Sequence, residues 1–471
     1  MIVRLRKLTL LTALALSLNP LLPASALGFM EAFRAAQKND PTFQAAIAEN
    51  EAGQQNRAMG RAGLLPQISA SASRARVRGE REYTAQSQLG SRDVIEPLSY
   101  FSTSRTVQVR QSVFNLANIA NFRQSRARAE YSTEVFRGKQ NDLALRLSTA
   151  YFQTLLAQHN IDLAEAKRQA FEQQLKTAEM QYRAGDGTVT DVDEARARRD
   201  LSEAQLIESR NQLVVTLRSL QELIGERPTS LAQLKSDFAK QVQPEAETLD
   251  AWLDRALENS AEIAAQRRAL EVAEREVDKN RAGHFPTVDA YASYGRSQSD
   301  SFSSINQEYR TRQLGLQVNI PIFSGGYTNA ATTQAIANRE RARNELEATV
   351  NKTHIEVTKQ YSGVVSGLAK VQAMELAVKS SEQALDSTKM GFKAGMRTNV
   401  DILNAEEQLY TSRRDLADTK YTYLISRLRL KAAAGVLSEA DLGEVDGYFG
   451  PEKAVRERLV QAPRRSAGKG G

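Results

Sequence analysis

Two short blocks hold the side chains best placed for chemistry. AGDGTVTD covers residues 184–191 and AGMRTNVD covers 394–401. In each, a threonine precedes an aspartate by three positions: Thr188 with Asp191, and Thr398 with Asp401. That is the spacing of a capping box, in which hydroxyl and carboxylate satisfy the orphan amides of a helix start. Such a carboxylate also meets the positive end of the helix dipole. Gly185 and Gly395 stand where an incoming helix would close in a left-handed turn. Each block therefore predicts helix, tight turn, helix.

Little else in the chain is arranged for covalent chemistry. There is no His-Glu-x-x-His, no Gly-x-Ser-x-Gly and no phosphate-cradling glycine loop. His159, His284 and His354 are far apart in sequence and suggest no metal site. Cysteine is absent, which excludes disulfides, thiolate metal sites and a cysteine nucleophile. Acid pairs such as Asp191 and Glu194 suit a solvated helix face. An enzyme is a poor fit, and no cofactor is called for.

The two blocks belong to a larger repetition. RAGLLPQISASAS at 61–73 and RAGHFPTVDAYAS at 281–293 agree at seven of 13 places, 220 positions apart. The stretch 29–60 matches 249–280 at the same offset. VQVRQSVFN at 107–115 matches LQVNIPIFS at 316–324 at an offset of 209, and the helix-tip blocks match at 210. The first half is thus 11 residues longer between these segments, which places loops at 74–105 and 294–310. A period near 210 is a duplicated structural half, not a solenoid unit. The expected organisation is a signal peptide at 1–26, a first repeat at 27–226, a linker at 227–247, a second repeat at 248–440 and a tail at 441–471.

Each half has the same grammar. A helix closes at Gly63 or Gly283, read as left-handed caps, and Pro66 or Pro286 forbids its continuation. A strand follows with a period of two: Ile68, Ala70 and Ala72 alternate with Ser69, Ser71 and Ser73. The returning strand alternates Leu314, Leu316, Val318, Ile320 and Ile322 with Gly315, Gln317 and Asn319, and Pro321 marks a transition between barrel and helix. These runs have the 9–11 residues that cross an outer membrane when tilted. Long proline-free helices come next, at about 118–182 and 328–392, returning near 188–225 and 398–435. Leu213, Leu217, Leu220, Leu223 and Ile224 form a coiled-coil stripe. Phe29, Phe33 and Trp252 fall on equivalent lead-in helices as packing residues, and Tyr291 and Tyr294 suit either an aromatic girdle or partial burial in a subunit interface.

The targeting segment is explicit. Arg4, Arg6 and Lys7 precede the apolar run Leu8–Leu18, and Ala24-Ser25-Ala26 is a small-residue cleavage site. The formal charge of +7 is carried by this segment and by residues 452–471; the remainder balances 54 basic against 54 acidic residues. The basic balance does not argue for nucleic acid. The tail, with Arg464 and Arg465, reads as solvated. Four membrane-length strands cannot close a barrel, for which about eight is the minimum. An open edge in lipid leaves backbone groups unpaired at several kcal/mol each. The chain must therefore share its barrel with copies of itself: two would give eight strands, three twelve, four sixteen.

With the signal peptide, the duplicated halves, RAGLLPQ and RAGHFPT before a strand, NIPIFSGG before a long helix and AGxxTxxD at a helix turn, the chain resembles the TolC-type outer-membrane efflux proteins. That resemblance implies an α+β membrane protein: a homotrimer with a shared 12-stranded barrel, four strands per chain, continued by a long antiparallel α-helical tunnel. It places 227–247 and part of 437–450 in an equatorial region. The phrase RAGHFPTVDAYAS and the lack of a lipid-bearing cysteine most resemble the branch serving type I secretion. The implied partners are further copies of the chain, a periplasmic membrane-fusion adaptor, an inner-membrane ABC exporter and outer-membrane lipid.

The resemblance also makes the helix tips a periplasmic gate. Asp401 would be an acid repeated around the entrance, and Arg397 would link to the neighbouring turn at Thr190 and Asp191. Asn404 stands where a second ring acid would sit, and Phe392 where a hydrogen-bonding tyrosine would sit. The expected entrance has one layer of carboxylates and opens more easily. Two other readings share the architecture or part of it: a drug or small-molecule efflux duct, and an outer-membrane tether whose helices are spacers.

Overall fold

A computed structural model describes residues 27–87, 90–235, 237–242, 245–301 and 304–455. The signal-peptide reading and Arg464 and Arg465 lie outside the described residues. The first half runs α1 (Phe29–Asn39), α2 (Pro41–Gln54), α3 (Asn56–Ala62), β1 (Gln67–Ser87), β2 (Gly90–Phe114), α4 (Leu116–Ala184) and α5 (Val189–Ile224). A bridging segment holds β3 (Ser230–Leu234) and α6 (Phe238–Gln241). The second half runs α7 (Leu249–Asn259), α8 (Ala261–Arg281), β4 (Thr287–Ser301), β5 (Ser304–Asn319), α9 (Tyr327–Lys393) and α10 (Asn399–Ala433), followed by α11 (Glu439–Asp446) and β6 (Phe449–Ala454).

The long helices follow from what their sequences lack. α4 has no proline and one glycine over 69 residues, so nothing interrupts a rod of roughly 100 Å at 1.5 Å per residue. Asn115 opens it by accepting from the Asn118 amide, and Gly185 closes it at φ +84°. α9 repeats this over 67 residues. Each rod folds back on a shorter partner, α5 or α10, and buries a leucine seam. Leu206, Leu213, Leu217 and Leu220 are all but inaccessible along α5. No helix among the described residues is long and apolar enough to cross a membrane.

The membrane element is one four-stranded antiparallel sheet in the order β1-β2-β4-β5. β1 and β2 pair without interruption from Gln67↔Arg110 to Ser87↔Gly90. This corrects the expected loops at 74–105 and 294–310: the strands continue through both. On the face that was apolar, arginine and glutamate take over on β1 and only scattered apolar residues such as Ile95 and Phe101 remain on β2, so the regular alternation is lost while backbone pairing goes on. The extra 11 residues of the first half simply lengthen its hairpin. Ile68, Leu314, Leu316 and Val318 share one face and are 59–87% exposed. The opposite face carries Ser69, Ser71, Gln108, Ser293, Gln313 and Gln317. Tyr294 lies on the apolar face, as a girdle residue should. Tyr291, three positions earlier, faces the other way and covers Gly315, whose Cβ position would be 2.7 Å from its hydroxyl.

Pro66, Pro286 and Pro321 sit at the helix-to-strand transitions as expected. The left-handed caps do not. Gly63 has φ −68°, and Gly283 lies in a short 3-10 turn outside the positive-φ set. Gly283 provides room for the next helix, and Gly63 a backbone acceptor for it. The Gly63 carbonyl accepts from Asn118 Nδ2 at 2.8 Å, and a Cβ on Gly283 would come within 3.1 Å of Thr328.

Mid-way along the helices the chain builds a waist. β3 pairs with β6, and Leu27 bridges to Leu231. Around this small sheet Phe29, Tyr151, Phe152 and Phe449 pack edge-to-face and stacked with centroids 5.4–6.4 Å apart, and Phe238 meets Tyr423 and Tyr448. Phe29, Phe33 and Trp252 are buried packing residues. Residues 441–454, read from sequence as the start of the tail, are folded into this waist as part of α11 and β6. Pro451 and a charged neighbourhood disguise the strand.

Candidate gate at the helix tips

Both tips have the predicted geometry. Thr188 Oγ1 accepts from the Asp191 amide at 3.2 Å, while Asp191 Oδ2 accepts from the Thr188 amide at 3.2 Å and its hydroxyl at 2.6 Å. Thr398 and Asp401 repeat this at 3.3, 2.8 and 3.0 Å. Gly395 closes the incoming helix at φ +72°. The Thr398 amide and hydroxyl, with a lesser contribution from Arg397, hold the Asp401 carboxyl below its usual range. Asp401 is therefore a charged group at neutral pH.

The remaining predicted residues fall into place unequally. Arg397 is largely exposed, and its ion pair within the chain is a long one, 3.9 Å to Asp401. Thr190 is exposed on the first turn of α5. Phe392 packs beside Leu385, Ile402 and Leu409, so its ring is held by apolar contact. Asn404 Oδ1 accepts from Arg198 Nη2 at 3.0 Å, which ties the tip of α10 to α5.

Arg198 had no signal in the sequence reading, and neither did its neighbours in this tie. Gln174 on α4 donates to Asn399 at the start of α10. Lys167 Nζ donates to Gln205 Oε1 at 2.6 Å and to Glu407 Oε1 at 2.7 Å, with its side chain only 9% exposed. Lys167 lies between Ala164 and Phe171 on the buried stripe of α4, and a cation at such a position was the available clue. Leu403 is fully buried among Phe171, Leu175, Ala178, Val192 and Ala195. Within one chain, then, the second hairpin tip is plugged and bonded onto the first.

The outer membrane efflux protein family model matches residues 32–226 and 252–436, one match for each structural half. The chain belongs to the outer membrane efflux protein family. Members of this family are outer-membrane channels and not enzymes; the strands of this chain lie in that membrane and its long helices in the periplasm. Among relatives, it is 39% identical to the alkaline protease secretion protein AprF of Pseudomonas aeruginosa over 430 residues, covering 90% of this chain and 88% of that one. It is 33% identical to the proteases secretion protein PrtF of Dickeya chrysanthemi over 445 residues, covering 93% and 95%. The fold matches the crystal structure of the outer membrane protein VceC from Vibrio cholerae with a TM-score of 0.70 at 20% identity, over 86% of this chain and 96% of that one.

Proposed function

We propose that three copies of this chain form the outer-membrane conduit of a type I protein secretion system. The observation that carries this is the near full-length relatedness to two proteins named for protease secretion. The sheet supports a shared barrel. Its edge strands β1 and β5 each have one unpaired side among the described residues, and three such sheets give twelve strands. The polar inner face suits passage of extended polypeptide. Energy comes from an inner-membrane ABC exporter, and a periplasmic membrane-fusion adaptor grips the helix tips. A deletion strain tests this. Loss of secreted protein, with drug susceptibility unchanged, is the expected outcome; broad drug sensitivity with intact secretion would make the chain an efflux duct instead.

At the entrance, Asp401 from each copy forms a single ring of carboxylates, and Arg397 reaches Thr190 and Asp191 of the neighbouring turn. The exposure of Arg397 and its long internal pairing support this. Engagement of Asn404 by Arg198 supports one acidic layer. Asp401 would then do two jobs, and two variants separate them. Asp401→Asn removes the charge while keeping a capping oxygen, and should lower cation preference in planar bilayers with little loss of stability. Thr398→Ala should cost about 1 kcal/mol of helix stability and leave ion preference alone. Equal selectivity in both would remove Asp401 from the pore.

A further inference from the structure

The apolar face of the sheet does not end in a random polar edge. On that face, directly beyond the apolar residues, stand Arg74, Arg76 and Arg78 on β1, Arg105 on β2, Arg296 on β4, and Arg310 and Arg312 on β5. Strand register fixes this, because Ala72, Arg105, Arg296 and Arg310 are opposite one another in a single row. All seven arginines are exposed.

The border between apolar residues and arginines is also aligned with the membrane. The apolar run next to the helices ends at Ala72 on β1, Val107 on β2, Tyr294 on β4 and Leu314 on β5; beyond it on the same face of β2, Phe101 and Ile95 stand singly. Leu314 is opposite Ala292, which is opposite Val109, which is opposite Ile68. The border thus steps down by four residues between β1 and β5. Over three strand spacings this is roughly 14 Å along the strands for roughly 14 Å across them. A slope of about 45° is close to the inclination of strands in a closed barrel. The lower ends of the strands step equally: the row of Gln67 leads through Arg110 and Tyr291 to Gly315, four residues short of the end of β5 at Asn319. A single level plane therefore passes through the border on all four strands.

With the helices in the periplasm, this plane lies on the side of the apolar run that faces away from the periplasm. We propose that the arginine band is a docking surface for phosphate-bearing headgroups of outer-leaflet lipid. Charge is complementary: among the described side chains, the carboxylate on the face at this level is Glu308, shared by Arg296 at 2.8 Å and Arg310 at 2.6 Å. Glu80, Glu82 and Asp93 come in rows nearer the hairpin tip. Aromatic rings hold several guanidinium groups in place. Arg74 and Arg76 lie 4.7 and 5.7 Å from the centroid of Phe101, and Arg312 lies 5.9 Å from that of Tyr294. Guanidinium forks bind phosphate bidentately, and the acyl chains of the same lipid would lie against Leu314, Leu316 and Val318.

The test titrates the detergent-purified, full-length assembly with a diphosphorylated glucosamine-based lipid and with the same lipid dephosphorylated, counting bound molecules by native mass spectrometry. The phosphorylated form should bind at least tenfold more tightly, and millimolar inorganic phosphate should not displace it. Combined Arg74→Gln, Arg76→Gln, Arg78→Gln and Arg105→Gln should bring it to the level of the dephosphorylated form. Arg81→Gln with Arg92→Gln, which removes two charges from the inner face, as Arg76→Gln with Arg78→Gln does from the outer one, should leave binding intact. If the fourfold variant does not assemble, Arg76→Gln with Arg78→Gln, which lie beyond the apolar belt, should give a partial loss. Equal binding of the two lipids, displacement by free phosphate, or equal losses from inner-face and outer-face variants would each overturn the proposal.

Discussion

Gly435→Ala is expected to leave no folded channel in the outer membrane. Gly435 follows α10 at φ +72°, a conformation that costs an L-residue roughly 1–2 kcal/mol. Its Cβ position is also 2.1 Å from the Asn259 carbonyl oxygen and 2.7 Å from the Ser260 amide nitrogen. Both are backbone atoms where α7 gives way to α8, and the same carbonyl accepts from Arg137 Nη2 at 2.9 Å. No side chain can swing away, so the helix end itself must shift. The cost should be a large fraction of a typical total stability of about 5–15 kcal/mol. Gly395→Ala is the control: it has the same φ but nothing within 4 Å, and should lose only the conformational term. Thermal melts by circular dichroism would separate the two. Melting of Gly435→Ala within a few degrees of the parent would refute the argument.

The second large effect concerns opening. Leu403→Ala should raise the open fraction of single channels at least tenfold. Leu403 joins the two hairpins through Phe171, Leu175, Val192 and Ala195, and truncating a fully buried leucine typically removes about 2–5 kcal/mol. If the tips part when the channel opens, that loss falls on the closed arrangement alone, and about 1.4 kcal/mol suffices for a factor of ten. Leu213→Ala removes the same atoms from a cluster between α4 and α5. It should lower the melting temperature without changing conductance in a planar bilayer. Matching traces from the two variants would mean that opening takes place between chains and not between hairpins.

Local features of this molecule were legible in the sequence, and distant pairings were not. The caps at Thr188 and Thr398 are interactions over three residues, so spacing alone reveals them. The rods of α4 and α9 follow from missing proline, and the halves from repeated phrases. The upper hairpins were missed because their pairing outlasts a clean apolar alternation: Arg74, Arg76 and Arg78 take the places of apolar residues on one face of β1, and Phe101 and Ile95 stand singly on β2. Residues 449–454 were missed because the partner of β6 is more than 200 positions away, at Ser230–Leu234. The tie between Arg198 and Asn404 spans a similar distance, and the aligned arginine border emerges only once register is known.

The waist has a consequence for the order of biogenesis. Its small sheet joins three parts of the chain: the start at Leu27, the middle at Leu231 and the last described strand, Phe449–Ala454. A polypeptide delivered to the periplasm from its N-terminus holds the first two early and must wait for the third. Until then Leu231 lacks its strand partner and Phe29 lacks the ring of Phe449, so the central core stays incomplete. The loop to be closed is long, and such non-local pairing is slow. Nascent chains thus pass through an interval in which the tunnel helices can form but their clamp cannot. Any truncation upstream of β6 prolongs that interval indefinitely and leaves a sticky strand edge for periplasmic proteases to find.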